Sequence, residues 1–122
     1  MSRRENYIKV VQPKITERGI IAKHWPKNWD EEITFANFET LRTIAALTVD
    51  AIWPPIAKEI ATALGVAEQI VIDRVQRLQE QGMIHPGDNA RGFVLTPNGI
   101  RIVRDVTFYE RYRPDAPRVP IS

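Results

Sequence analysis

Cysteine is absent from this sequence of 122 residues. Its absence excludes disulfide frameworks, thiolate zinc sites, iron–sulfur clusters and cysteine nucleophiles. A chain of this length does not need disulfides or a metal for stability, because about two-thirds of its unfolded surface can be buried around one core. We therefore expect a domain-sized globular protein in an intracellular, cytoplasmic setting, where disulfides are rare.

Serine and histidine are almost as scarce. The serines are Ser2 and Ser122, at the two ends, and the histidines are His24 and His85, which are far apart in the sequence. This inventory gives little material for a serine–histidine nucleophile or a histidine-rich metal site. We predict that the protein is not an enzyme and needs neither a metal nor a cofactor.

Long apolar runs are also missing. No run approaches the roughly 20 residues that cross a bilayer, and Met1–Asn6 is not followed by the apolar core of a signal peptide. We expect a protein that is neither exported nor embedded in a membrane.

Charge is distributed unevenly along the chain. Residues 1–29 carry seven Lys and Arg against two Glu, a net +5, whereas residues 30–65 carry two against six, a net −4. The remainder comes to +1, which gives the total of +2. The basic N-terminal segment suits contact with phosphate. A solvated face, or an internal match to the acidic segment, explains the same pattern.

The chain divides into three predicted segments: a basic N-terminal extension at 1–30, a main domain at 31–113 and a proline-rich tail at 114–122. Within the extension, Tyr7–Val11 is rich in β-branched residues and stops before Pro13, which predicts a short strand or extended arm. A short helix, interrupted by Gly19, is expected from Ile15 to Trp25.

The main domain shows the apolar periodicity of a mainly helical fold with one small β-hairpin. Thr34 precedes the first helix as a cap, and Pro55 fits the first turn of the second. Gly65 and Gly82 end the second and third helices. The predicted elements are helices at 35–49, 55–64, 67–81 and 97–112, with strands at 83–85 and 93–95.

The last predicted helix is apolar in two directions. One stripe consists of Ile102, Val103, Val106 and Tyr109, whereas Ile100, Phe108 and Tyr112 lie off it. A surface helix that packs on one side only has a single apolar stripe. The surplus predicts a second contact, most simply a symmetric homodimer through Ile100, Phe108 and Tyr112. Cover by the segment 7–11 of the same subunit is the alternative.

Three stretches share a pattern with a known family. Ile56–Val66 has the form of a short helix and a glycine turn, and Gln81–Ile84 that of a helix end running into a strand. Leu95–Gly99 places a threonine, a proline and a glycine after that hairpin. These stretches resemble winged helix-turn-helix proteins, in particular transcriptional regulators of the multiple-antibiotic-resistance type. The resemblance covers about residues 33–105.

The resemblance implies a DNA-binding regulator whose third helix docks in the major groove of double-stranded DNA, with the hairpin as a wing on the backbone. Gln69 and Gln76 can read adenine, and Ile72 can meet a thymine methyl group. The expected DNA-contacting residues are Gln69, Ile72, Arg74, Gln76, Arg77 and Arg91.

Three residues of the third helix depart from a DNA-binding pattern. Glu68 and Asp73 would face phosphate oxygens, and Ala67 has no side-chain acceptor to cap the helix. The alternative function is therefore a winged-helix protein–protein interaction module without sequence-specific DNA binding. In that case Glu68, Asp73 and Ile72 meet a protein surface.

The three tryptophans, Trp25, Trp29 and Trp53, lie beside prolines at element boundaries. This position favours core or stapling aromatics over a base-stacking platform.

Overall fold

A computed structural model describes residues 14–24, 29–87 and 91–112. The elements in these ranges are β1 (Lys14–Ile15), β2 (Gly19–His24), β3 (Trp29–Thr34), α1 (Phe35–Thr48), α2 (Ala57–Leu64), α3 (Glu68–Glu80), β4 (Ile84–Pro86), β5 (Phe93–Leu95) and α4 (Pro97–Tyr112). The predicted class is confirmed: the fold is mainly α, with a small hairpin after the third helix and a further helix at the C-terminal side. The predicted strand at 7–11 and tail at 114–122 lie outside the described residues.

The N-terminal side of the described chain is a three-stranded antiparallel sheet in the order β1-β2-β3. The helix predicted from Ile15 to Trp25 is therefore wrong. Thr16 shapes the first turn, because its hydroxyl accepts the backbone N–H of Gly19 at 3.0 Å. Ile20 pairs with Ile33 across β2 and β3, and both side chains are completely buried. Burial of this β-branched pair in the main core decides the conformation over the local pattern.

The cap predicted before α1 is present. Thr34 has an extended backbone, and its hydroxyl accepts the N–H of Asn37 at 3.2 Å. Gly65 ends α2 in the left-handed conformation, with φ 70°. This conformation costs glycine little, and it lets α3 begin after a tight turn. The two helices then share a buried core of Ile60, Val71 and Val75.

The start of α2 differs from the prediction. Pro55 lies before the helix, Ile56 is the extended cap residue, and the helix begins at Ala57. The carbonyl of Pro55 accepts the backbone N–H of Phe93 at 3.0 Å, so this residue pairs with the hairpin instead of opening the helix. The carboxylate of Glu59 accepts the Ile56 N–H at 3.0 Å, and Ile56 itself makes no side-chain cap bond.

The β4–β5 hairpin pairs Ile84 with Leu95 and packs against the loop that precedes α2. Gly92 has φ 68°, and a Cβ there would lie 2.5 Å from the carbonyl oxygen of Pro54. Glycine at 92 thus meets both a backbone and a steric requirement. The contact holds the hairpin against the α1–α2 loop.

Helix α4 returns across α1. Ile102 and Val106 enter the core, and the buried Asp105 carboxylate lies 3.2 Å from Nη2 of Arg104. At the far end of the contact, Arg42 Nη2 of α1 donates to Glu110 Oε1 at 2.7 Å. This pair is largely buried and fixes α4 against α1.

Candidate nucleic-acid interface

The outward face of α3 carries three of the predicted contact residues on one stripe. Gln69, Ile72 and Gln76 are all exposed, whereas Val71 and Val75 on the opposite face are buried. The spacing of three and four residues places the exposed side chains above one another. The structure thus brings Gln69, Ile72 and Gln76 together on one exposed face of α3.

Arg74 does not lie on that stripe. Its side chain is half-buried, and Nη1 donates to the hydroxyl of Thr40 at 3.3 Å. Thr40 is itself completely buried in α1 and donates to the carbonyl of Ala36. Arg74 therefore links α3 to α1.

Arg77 lies on the exposed side of α3 and forms a surface ion pair. Its Nη1 is 3.5 Å from Glu80 Oε2, and both side chains are more than half exposed. Pairs of this kind contribute about 0–1 kcal/mol, so a phosphate can replace the carboxylate at little cost.

Two carboxylates and two apolar side chains share the exposed surface of α3. Glu68 lies in the first turn, and Asp73 Oδ1 accepts from Gln69 Nε2 at 3.0 Å. Ile72 is exposed as predicted, and Ile70 is exposed as well. Sequence reasoning missed Ile70, although its place one residue before buried Val71 puts it at the edge of the core face.

The exposed Arg91 follows the loop of the hairpin and borders a groove of about 700 Å³. The opposite wall is formed by the α1–α2 loop, where Trp53 is 68% and Ile52 is 87% exposed. The prediction that Trp53 is a core or stapling aromatic is therefore wrong. Trp25 and the side chain of Trp29 lie outside the described part. The sequence signal for this wall is the pair Ile52-Trp53. The pair lies between two predicted helices and belongs to the apolar stripe of neither.

The outer surface of α4 carries two of the three predicted dimer residues. Ile100 and Phe108 are both exposed, whereas Ile102 and Val106 face the core. The side chain of Tyr112 is outside the described residues. The second apolar direction of α4 is thus present in the structure, and its cover by a second subunit remains a prediction.

Comparison with known proteins gives no assignment: no family model matches the chain, and no curated protein is similar to it. Across residues 14–24, 29–87 and 91–112, no group of three His, Asp or Glu side chains is arranged to hold a metal ion. In the same ranges no helix has the length and apolar character needed to span a bilayer.

Proposed function

We propose that the chain is a winged-helix regulator of transcription that binds double-stranded DNA, with α3 in the major groove and the β4–β5 hairpin as the wing. The observation that carries this proposal is the outward stripe of Gln69, Ile72 and Gln76. It lies on a helix that follows a tight glycine turn and precedes a hairpin with an exposed arginine. A helix in this setting matches the width of a major groove.

Each contact residue has a role in this proposal. Gln69 and Gln76 donate to and accept from adenine edges, and Ile72 packs on a thymine methyl group. Arg77 and Arg91 neutralise phosphates and fix the register without reading sequence. Arg74 acts indirectly, because its bond to Thr40 orients α3 on α1.

A pair of arginine variants tests this docking geometry. Arg91→Ala is expected to weaken binding to all duplex sequences alike. Because each subunit of the proposed dimer loses one phosphate contact, the salt slope of log Kd is expected to fall by about two units. Arg74→Ala is expected to leave the slope unchanged and to lower the free energy of unfolding by about 1 kcal/mol, through loss of its bond to Thr40. Fluorescence anisotropy with random duplexes and urea titration give the two quantities.

The matched control is Arg111→Ala, which removes an exposed arginine from α4. Its salt slope is expected to equal that of the wild type. An unchanged slope in Arg91→Ala, or a slope reduced as much in Arg111→Ala, contradicts a wing contact at Arg91.

A protein–protein interaction module is the second candidate function. Exposed Ile72 near Glu68 and Asp73 favours it, because an apolar side chain beside charged ones is typical of protein contacts.

Asp73→Asn separates the two functions. The amide keeps a carbonyl acceptor for Gln69 Nε2 and removes the negative charge. If α3 faces phosphate, duplex affinity is expected to rise, by roughly 2- to 5-fold for a gain of about 0.5–1 kcal/mol. Anisotropy measures the change. Unchanged or weaker duplex binding would place Asp73 away from DNA and favour the protein-binding alternative.

We also propose that the protein is a homodimer through the outer surface of α4. Ile100→Glu with Phe108→Glu is expected to convert a dimer into a monomer, because two apolar side chains of each subunit are replaced by charged ones at the proposed interface. Burial of each is worth roughly 1.5–3 kcal/mol. Light scattering at tens of micromolar measures the mass, and Thr62→Glu on the exposed side of α2 is the control. A monomeric wild type at that concentration contradicts the dimer.

A further inference from the structure

The groove between the α1–α2 loop and the β4–β5 hairpin combines a large aromatic surface with positive charge. We propose that it binds a single nucleotide, with the base on Trp53 and the phosphate on Arg91. The nucleotide is either free or one unit of an unpaired strand, since both present the same base and phosphate. The site goes beyond duplex recognition, because no residue of α3 lines the groove.

The apolar wall consists of Ile52 and Trp53. Both are large, adjacent and mostly exposed, in the middle of a loop that also exposes Val49. An indole with one face open to solvent offers a flat surface on which any base can stack. Single exposed apolar residues are ordinary, but a cluster that includes tryptophan marks a binding surface.

The other wall supplies one cation, Arg91, and an imidazole, His85. Arg91 and His85 line the groove, and none of its described lining residues carries a carboxylate. His85 Nδ1 lies 2.8 Å from the carbonyl oxygen of Pro86, which orients the ring and directs Nε2 away from that bond. A guanidinium binds phosphate through two parallel hydrogen bonds. Arg91 thus gives the described part of the groove a group that can bind an anion.

The two walls are held at a fixed separation. Phe93 N–H donates to Pro55 across the junction at 3.0 Å, and Gly87 N–H donates to Gly92 at the base of the hairpin loop at 3.0 Å. Gly92 also lies against the backbone of Pro54 without room for a side chain. A preorganised site loses less entropy on binding, which favours a specific ligand over loose adsorption.

The volume of the groove is in the range of sites that bind small molecules. About 700 Å³ falls within the range of roughly 300–1,000 Å³ that is typical of small-molecule sites. This space is large enough for one base with its sugar and phosphate.

Binding of short single-stranded oligo(dA) and oligo(dT), and of free dAMP, tests the proposal. Calorimetry at low salt is expected to detect binding of at least one of these probes to the full chain. Trp53→Leu, which keeps an apolar side chain but removes the ring, is expected to weaken binding by about 5- to 100-fold. Trp53→Phe keeps a stacking ring and is expected to retain most of the affinity. Arg91→Gln is expected to weaken binding and to flatten its salt dependence.

The free and the oligomeric probes distinguish a free nucleotide from one unit of an unpaired strand. Tight binding of dAMP indicates a free nucleotide, whereas binding of oligonucleotides alone indicates a strand. Arg111→Gln, which lies outside the groove, is the charge control. The proposal is overturned if no probe binds, if Trp53→Leu binds as tightly as Trp53→Phe, or if both arginine variants lose affinity equally. Circular dichroism of every variant shows that a loss of binding is not a loss of fold.

Duplex recognition by α3 can fail without affecting this result. If the chain binds oligo(dT) through Trp53 but binds no duplex, the groove proposal stands and the proposed major-groove contact is rejected. If the chain binds duplex but none of the single-stranded or free probes, the proposed contact through α3 stands and the groove proposal is rejected.

Discussion

Duplex DNA binding is expected to weaken about 150-fold when monovalent salt rises from 50 to 200 mM, if four phosphates are neutralised. Each neutralised phosphate contributes about −0.9 to the slope of log affinity against log salt. Four phosphates give a slope of about −3.6, so a fourfold rise in salt lowers the affinity by about 150-fold. In the proposed dimer, Arg77 and Arg91 of each subunit would supply four such contacts. Anisotropy with random-sequence duplexes over this salt range measures the slope.

The slope also tests the basic segment at 1–29. If its net charge of +5 makes further phosphate contacts, the dependence would be steeper than four contacts predict. The absence of duplex binding at low salt by a folded sample rejects the regulator proposal and favours the protein-interaction alternative. Binding that does not respond to salt rejects contacts through arginine and lysine.

The substitution Ile33→Ala is expected to lower the free energy of unfolding by about 2–5 kcal/mol. Ile33 is completely buried on β3, opposite the equally buried Ile20, and both belong to the core that α1, α2 and α3 share. Truncation there leaves a cavity that the paired strand can fill only in part. The loss is a large fraction of the 5–15 kcal/mol that stabilise a typical domain. Urea titration of both proteins gives the difference.

Ile21→Ala is the matched control for this prediction. Ile21 is the same residue type as Ile33 and follows Ile20 on β2. It is only half-buried, because the side chains of a strand alternate between its two faces. Its truncation is expected to cost about 1 kcal/mol. Equal losses for Ile21→Ala and Ile33→Ala would show that the sheet does not contribute a specific face to the core.

Most helix boundaries could be predicted because their signals are local. Thr34 and Thr96 each cap a helix with their own hydroxyl, three residues before the N–H that they accept. Gly65 and Gly82 end helices because a positive φ is needed there. Each signal lies within a few residues of the boundary that it marks, so no tertiary information is required.

The sheet at the N-terminal side could not be predicted in the same way. The segment from Ile15 to Trp25 contains a glycine and isolated apolar residues, which fit a broken helix as well as a strand. The pairing of Ile20 with Ile33, thirteen residues later, distinguishes the two, and it exists only in the folded chain. Pro55 shows the same limit, since its carbonyl pairs with Phe93 from a distant part of the sequence.

The candidate site divides along similar lines. The outward stripe of α3 follows from helical periodicity, so Gln69, Ile72 and Gln76 could be assigned to it from the sequence. The orientation of Arg74 depends on Thr40 of another helix, which periodicity does not include. The exposure of Trp53 depends on how the α1–α2 loop meets the hairpin, and the neighbouring prolines wrongly favoured a buried position.

The hydrogen bond from Gln81 Nε2 to the carbonyl of Glu32, at 2.8 Å, has a consequence for solubility. Within the described residues β3 is an edge strand, and open backbone groups on an edge invite pairing with another chain and, in time, aggregation. The buried Gln81 side chain occupies one of these acceptors, and the sequence of β3 contains Asp-Glu-Glu. Consecutive acidic residues make edge-to-edge pairing of two copies unfavourable by like-charge repulsion. The acidic stretch of β3 is thus expected to disfavour association of two copies of the chain through this edge.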